Sequence, residues 1–161
     1  MNIRAAAPGD HSAIRDVLLA AFPGPDEADL VEQLRADGDA AIELVAEQDG
    51  RIVGHILFSP VHGPFRALAL APVAVAPQRH GEGIGSALIK AGHELARGQA
   101  WDAIFVLGEP AYYRRFDYDP ALAAGFDSPY AGPYFMALAL RGALPATEGQ
   151  VTHARAFAGL G

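Results

Sequence analysis

Between residues 11 and 22 the apolar side chains Ala13, Ile14, Val17, Leu18, Ala21 and Phe22 recur every three to four positions, which predicts a helix with one buried stripe. Pro8-Gly9-Asp10 separates it from a short β-compatible segment at 2–6 and offers Asp10 as an N-cap, and Pro23-Gly24-Pro25 ends it. A second helix is expected over 26–36, acidic in its first turn, with Leu30, Val31 and Leu34 on one side. Segments 40–47 and 51–58 have strand character and flank Gln48-Asp49-Gly50, a hairpin signal. The continuous Ala/Leu/Val run at 66–76 suits a strand covered on both faces. Pro72 cannot donate to a ladder, so it implies an edge or a bulge there.

A polar loop at 77–82 precedes Ile84, Ala87, Leu88, Ala91 and Leu95, which mark a helix ending near Arg97-Gly98; 102–107 then reads as a strand. Strand, glycine loop, helix and strand in succession make a right-handed crossover between parallel strands. A short helix started by Pro110 is expected over 109–116. Segment 117–132, rich in Gly, Pro, Asp and Ser, is expected to be a surface loop, and 134–140 and 150–157 the last strands. The pattern describes one α/β domain over 1–161, with a mixed sheet of six or seven strands and helices on both faces.

Composition narrows the function classes. The 161 residues include no Cys, which excludes a disulfide framework, a Cys-ligated metal site and an acyl-cysteine intermediate. With 12 Lys+Arg against 19 Asp+Glu, the net charge of -7 opposes nucleic acid and anionic membrane as partners, and favours a cationic substrate. No apolar run reaches the roughly 18–20 residues of a membrane helix, and residues 1–10 lack a basic region followed by an apolar core, so the expected location is the cytoplasm. The six His show no His-x-x-x-His pairing, so no metal is expected.

The informative stretch is Val73-Ala74-Val75-Ala76-Pro77-Gln78-Arg79-His80-Gly81-Glu82-Gly83-Ile84-Gly85-Ser86-Ala87-Leu88. Alternate glycines at 81, 83 and 85 remove Cβ atoms from a loop entering a helix, so backbone N–H groups can approach an anion at a positive helix terminus. That makes a phosphate cradle indifferent to the net charge. The dinucleotide fingerprint fails at Ser86 or Leu88, and no Gly-Lys-Ser/Thr triplet of a P-loop exists.

The whole string resembles the acetyl-CoA loop of the GNAT superfamily of N-acetyltransferases. Val75-Ala76-Pro77, Gly83-Ile84-Gly85 and Leu88 match that loop at its spacing, with His80 where Arg or Gln is usual. An alternative register takes Gln78 to Gly83 as the Gln-x-x-Gly-x-Gly element. The resemblance implies a three-layer GNAT-like fold. It implies that Gly81, Glu82, Gly83, Ile84, Gly85 and Ser86, with His80, hold the pyrophosphate of acetyl-CoA, and that Val73, Ala74 and Val75 bind its pantetheine arm. A second element, Leu107-Gly108-Glu109-Pro110-Ala111-Tyr112-Tyr113, followed by Asp117-Tyr118 where the family has Gly-Phe, resembles the helix after the fifth GNAT strand. It implies Tyr113 as the acid that protonates the departing thiolate and Tyr112 as a wall of the site. A phenol of pKa about 10 suits that role.

The wording of this element and the late strand resemble most the YhbS-type branch, whose acceptors are poorly defined. The implied reaction is transfer of acetyl to a primary amine of a small molecule or protein by direct attack in a ternary complex; family habit implies a homodimer. Such an amine needs a base, directly or through water. Glu109, Ser59 and His62 could orient a water, and 67–76 contains no Glu, which argues for a water relay. Arg79, Lys90 and Arg97 could meet phosphates. The alternative is a non-catalytic acyl-CoA-binding regulator or sensor, given weight by Asp117-Tyr118 and the missing carboxylate; a third reading is a glycine-loop interaction domain without nucleotide.

Overall fold

The structure is a computed structural model describing residues 1–159. In chain order its elements are β1 (Asn2–Ala5), α1 (His11–Ala21), α2 (Asp26–Ala36), β2 (Ile42–Gln48), β3 (Arg51–Val61), β4 (Ala67–Val75) and α3 (Ile84–Gly98). There follow β5 (Ala103–Leu107), α4 (Pro110–Tyr113), α5 (Pro120–Ala123), β6 (Phe126–Asp127), β7 (Phe135–Ala139) and β8 (Gly149–Gln150). Six strands form one mixed sheet in the order β1-β2-β3-β4-β5-β7, antiparallel except for the β4–β5 pair.

The stripe expected on α1 is buried: Ile14, Val17 and Leu18 pack with Ala28, Val31 and Leu34 of α2 against Val45 and Leu57 on one face of the sheet. On the other face Ile84, Leu88 and Ile89 of α3 cover Leu44, Ile56, Phe58 and Ile104. Helices therefore lie on both faces, as the alternation of strand and helix patterns predicts. The hairpin turn is at Asp49-Gly50, both with positive φ.

Two expectations need correction. Residues 150–157 are not a strand: only Gly149–Gln150 pairs, with β6, after which Thr152 makes an isolated bridge to His62 and Arg155–Gly159 is a short 3-10 helix. Its apolar residues serve two cores, Val151 beside Phe105 and Phe126, Phe157 beside α1 and α2, so their spacing reflects a chain passing between cores. Segment 117–132 is not a plain surface loop, since it contains α5 and β6 and buries Tyr118, Ala123 and Phe126. Asp119 caps α5 by accepting from the Ala121 N–H at 2.9 Å. β3 also runs on past residue 58 to Val61.

Buried polar groups give the fold a pH dependence. His55 Nε2 donates to Glu43 at 2.7 Å, and Arg35 of α2 grips the same carboxylate through Nε and Nη2. Burial raises Glu43, but the hydrogen bonds from His55 and Arg35 outweigh it and hold the carboxyl at about 2. Burial lowers His55, and pushes His93 and His153 down to about 4. His93 and His153 stay neutral in the folded chain while the unfolded chain takes up protons below 6.5, so their contribution is intact above that pH and is lost on the way to about 4; His55 acts in the same direction. The contribution of Glu43 is intact above 4.5 and lost as pH falls toward about 2. Losses from His93 and His153 are on the order of 2 kcal/mol each. Thermal melts should show the midpoint falling between pH 6.5 and 4, before the carboxylates titrate; a constant midpoint across that window would contradict this account.

Candidate active site

The site begins with one irregularity in β4. Ile56 of β3 pairs with Val73 and Phe58 with Leu70, so Ala71 and Pro72 together stand against Leu57. The extra residue bends the strand, and Pro72 brings no N–H to a ladder. Both placements expected for Pro72 are realised: it sits in the bulge toward β3, and on the other side it lies past Ala69, where β4 no longer pairs with β5. β4 pairs with β5 only from Ala67 to Ala69, then diverges from it while staying on β3 as far as Val75. The open edge of Val73–Val75 becomes one wall of a cleft of about 580 Å³.

The glycine loop closes that cleft. α3 begins at Ile84 with Gly83 before it, so Gly83-Ile84-Gly85 opens the helix. Gly81 and Gly83 have φ of 83° and 79°, and a Cβ on either would meet nothing within 4 Å, so glycine is needed there for backbone conformation. The first N–H to engage the helix ladder is that of Ala87, on the Gly83 carbonyl at 3.0 Å. The N–H groups of residues 83–86 are thus left outside the ladder at the positive end of the helix dipole. His80 Nε2 donates to the Val75 carbonyl at 3.1 Å, tying the loop to the open strand edge.

Arg115 donates to Ser86 Oγ at 2.9 Å with its guanidinium 4.8 Å above the Tyr112 ring, and Arg79 also lines the cleft. Free N–H groups, two guanidiniums and a loop lacking Cβ atoms at 81, 83 and 85 suit a pyrophosphate. Glu82 does not line the cleft; its carboxylate faces Arg79 at 3.9 Å. Lys90 is exposed and Arg97 pairs with Glu94 at 3.1 Å, as a solvated helix face would.

Where β4 and β5 part, a second cavity of about 300 Å³ lies between residues 69–73 and 105–107, sharing Phe22 and Val73 with the cleft. The adjacent tyrosines divide between them: Tyr112 lines the cleft, Tyr113 the cavity. The Tyr113 ring lies against Gly108, where a Cβ would overlap it, and edge-on to Tyr112 and Tyr118 at centroid distances of 5.0 and 5.7 Å. Burial, and then Tyr112, push the Tyr113 phenol up to about 12, so it is protonated at neutral pH. Asp117 has φ of 70°, a conformation in which Gly is easiest and Asp is tolerated. Tyr118 is a core residue whose hydroxyl is hydrogen-bonded to His93 at 2.8 Å. The Asp117-Tyr118 departure is therefore accommodated without disturbing the site.

Residues 11–118 match the Acetyltransferase (GNAT) family. The chain belongs to the GNAT family of acetyltransferases. It is 39% identical over 133 residues to the N-acetyltransferase YjhQ of Escherichia coli K12, covering 77% of this chain and 73% of that one. It is 35% identical to YhbS of the same strain, covering 79% and 77%. A crystal structure of Escherichia coli YhbS in complex with CoA superposes with a TM-score of 0.93 at 30% identity, over 99% of this chain and 93% of that one. A GNAT acetyltransferase from Brucella melitensis in complex with acetyl-CoA gives 0.81 at 36% identity, over 97% of both. The chain is thus an acyltransferase of the YhbS-like branch with the mixed sheet of that fold.

In this acetyltransferase none of the three residues considered for orienting a water lines either cavity. Glu109 is exposed, its carbonyl taken by the Tyr112 and Tyr113 N–H groups at 3.1 Å. Ser59 is buried inside β3, and His62 bridges Thr152 through backbone. The polar residues that do line the second cavity, Glu27 of α2 and Tyr130 and His153 of the C-terminal stretch, were given no role by motif or spacing. Neither was Arg115, whose partner Ser86 belongs to another segment. Among the described residues no group of three or more His, Asp or Glu could hold a metal, and no helix is long and apolar enough to cross a membrane.

Proposed function

We propose that this acetyltransferase moves acetyl from acetyl-CoA to a primary amine of a small molecule or protein, by direct attack within a ternary complex. The observation carrying this reading is the junction at Val73: a cleft suited to a pyrophosphate and a cavity holding a protonated phenol share that residue and the open edge of β4. The N–H groups of 83–86, with Arg79 and Arg115, would hold the pyrophosphate, and His80 would keep the loop against the strand. Val73–Val75 would carry the pantetheine on free backbone groups and so aim the thioester at the second cavity. The acetyl thioester supplies the activated acyl group. Tyr113 would give its proton to the departing thiolate, and the absence of Cys excludes an acetyl-cysteine intermediate and so favours direct attack. That the two structural relatives are complexed with CoA and acetyl-CoA supports acetyl-CoA as the acyl donor.

Calorimetry tests the reading. Acetyl-CoA should bind one to one, and Arg115→Ala should weaken it about tenfold, the loss of a charge-assisted contact of roughly 1.4 kcal/mol. Failure to bind at millimolar acetyl-CoA would overturn it. Thiol release across polyamines, amino acids, aminoglycosides and peptide N-termini then identifies the amine.

A further inference from the structure

The second cavity has a composition that specifies its occupant. Its walls are apolar, from Phe22 and Leu30 on one side to Phe105 and Phe157 on the other, and no Lys or Arg lines it. It contains one carboxylate, that of Glu27 in the first turn of α2. Arg35 and Arg15, the cations nearest in sequence on either side, pair elsewhere: Arg35 with Glu43 at 2.6 Å, and Arg15 with Asp29 and Glu32 of α2 at 3.1 and 3.0 Å. His153 also lines the cavity; its Nδ1 is buried with no partner among the described residues, and burial keeps the ring neutral above about 4. A carboxylate without a cation, in an apolar chamber where Tyr113 and His153 are uncharged at neutral pH, attracts a positive charge from outside. The volume of about 300 Å³ is at the small end of small-molecule cavities, roughly 300–1,000 Å³.

We infer that this cavity admits the ammonium group of a small, apolar or aromatic primary amine, and that Glu27 both anchors that ammonium and removes its proton. The inference rests on the acetyl-transfer reading for its chemistry. Glu27 accepts one ammonium proton and passes it to water, leaving a nitrogen lone pair. As nitrogen bonds to the thioester carbonyl carbon the carbon–sulfur bond breaks, Tyr113 protonates the thiolate, and the second proton lost by nitrogen restores the phenol. One proton is released net. This assigns the base to α2, where the sequence pointed to a water relay near β4, and it explains why the fourth strand needs no Glu.

The test uses 2-phenylethylamine, with 3-phenylpropionate as its anionic counterpart, titrated into the full chain with and without saturating CoA and followed by the NMR resonances of Tyr113 and His153. The amine should shift both saturably at neutral pH and the acid should shift neither. Glu27→Gln should weaken amine binding at least tenfold while acetyl-CoA affinity stays within twofold, and Glu27→Asp should keep saturable binding. Where 2-phenylethylamine is acetylated, Glu27→Gln should lower kcat/KM at least a hundredfold. Equal binding of amine and acid, no binding of the amine at 10 mM, or wild-type binding by Glu27→Gln would overturn the inference. Failure of acetyl-CoA to bind the wild-type chain would instead overturn the acetyl-transfer reading, and amine binding without CoA would still report on Glu27.

Discussion

Replacing Tyr113 by Phe should lower kcat for acetyl transfer by roughly 10²–10⁴-fold, the usual contribution of a general acid, with acetyl-CoA affinity unchanged within about twofold. The substitution removes one oxygen and leaves the ring where it packs, on Gly108 and edge-on to Tyr112 and Tyr118. Because Tyr113 lines the second cavity and not the cleft of the glycine loop, losing its hydroxyl should leave cofactor binding alone. Tyr112→Phe supplies the contrast. Its hydroxyl, beside Gly85, is all that this variant removes, while the ring under Arg115 stays, so the loss should act on acetyl-CoA binding more than on turnover. With the Tyr113 phenol pushed up to about 12, the wild-type rate should show no loss of this acid up to about pH 10. Unchanged turnover by Tyr113→Phe with unchanged acetyl-CoA affinity would remove Tyr113 from the chemistry.

Gly92→Val should destabilise the fold by about 3 kcal/mol or more, a fall in melting temperature of roughly 6–12 °C. Gly92 is buried on α3, and a Cβ there would overlap the ring of Phe58, itself fully buried in β3. Even Gly92→Ala should be destabilising, although alanine is the better helix former by about 1 kcal/mol, because overpacking a close-packed core costs roughly 1–3 kcal/mol. Pairing Gly92→Ala with Phe58→Leu tests the cause. The double variant should be more stable than the sum of the single losses predicts, since the smaller side chain gives the new methyl room. Strict additivity would assign the loss to something other than this contact. The consequence reaches the site, because the seat of α3 on β3 sets where its N-terminus meets the open edge of β4; Gly54, whose Cβ would come within 2.8 Å of Ile84, sets the same seat about two turns away.

Much of the site was legible wherever chemistry follows from consecutive residues. Gly81, Gly83 and Gly85 before an amphipathic run announce a strand-to-helix turn open to an anion, and the structure has that turn with two of the glycines at positive φ. Pro72 announced an irregular strand. The Asp117-Tyr118 departure, by contrast, lent weight to a non-catalytic binder when only the order of residues was visible. With Asp117 in a left-handed conformation and the Tyr118 hydroxyl on His93, that argument disappears. Residues 150–157 misled because alternating apolar residues imply a strand only when they share one core, and Val151 and Phe157 do not.

The amino-acid sequence by itself determined the domain class, the glycine cradle and the tyrosine pair, because turn conformation, helix periodicity and proline's missing donor act over a few neighbouring residues. Only the tertiary structure decided that Tyr112 and Tyr113 serve different cavities, that Arg115 reaches Ser86, and that Glu27 and His153, from opposite ends of the chain, line one chamber. Those placements depend on where β4 leaves β5 and on what packs around the opening. The physical reason is range: backbone conformation is specified locally, whereas a cavity's charge and shape are properties of surfaces that meet only after the sheet and its helices have closed on one another.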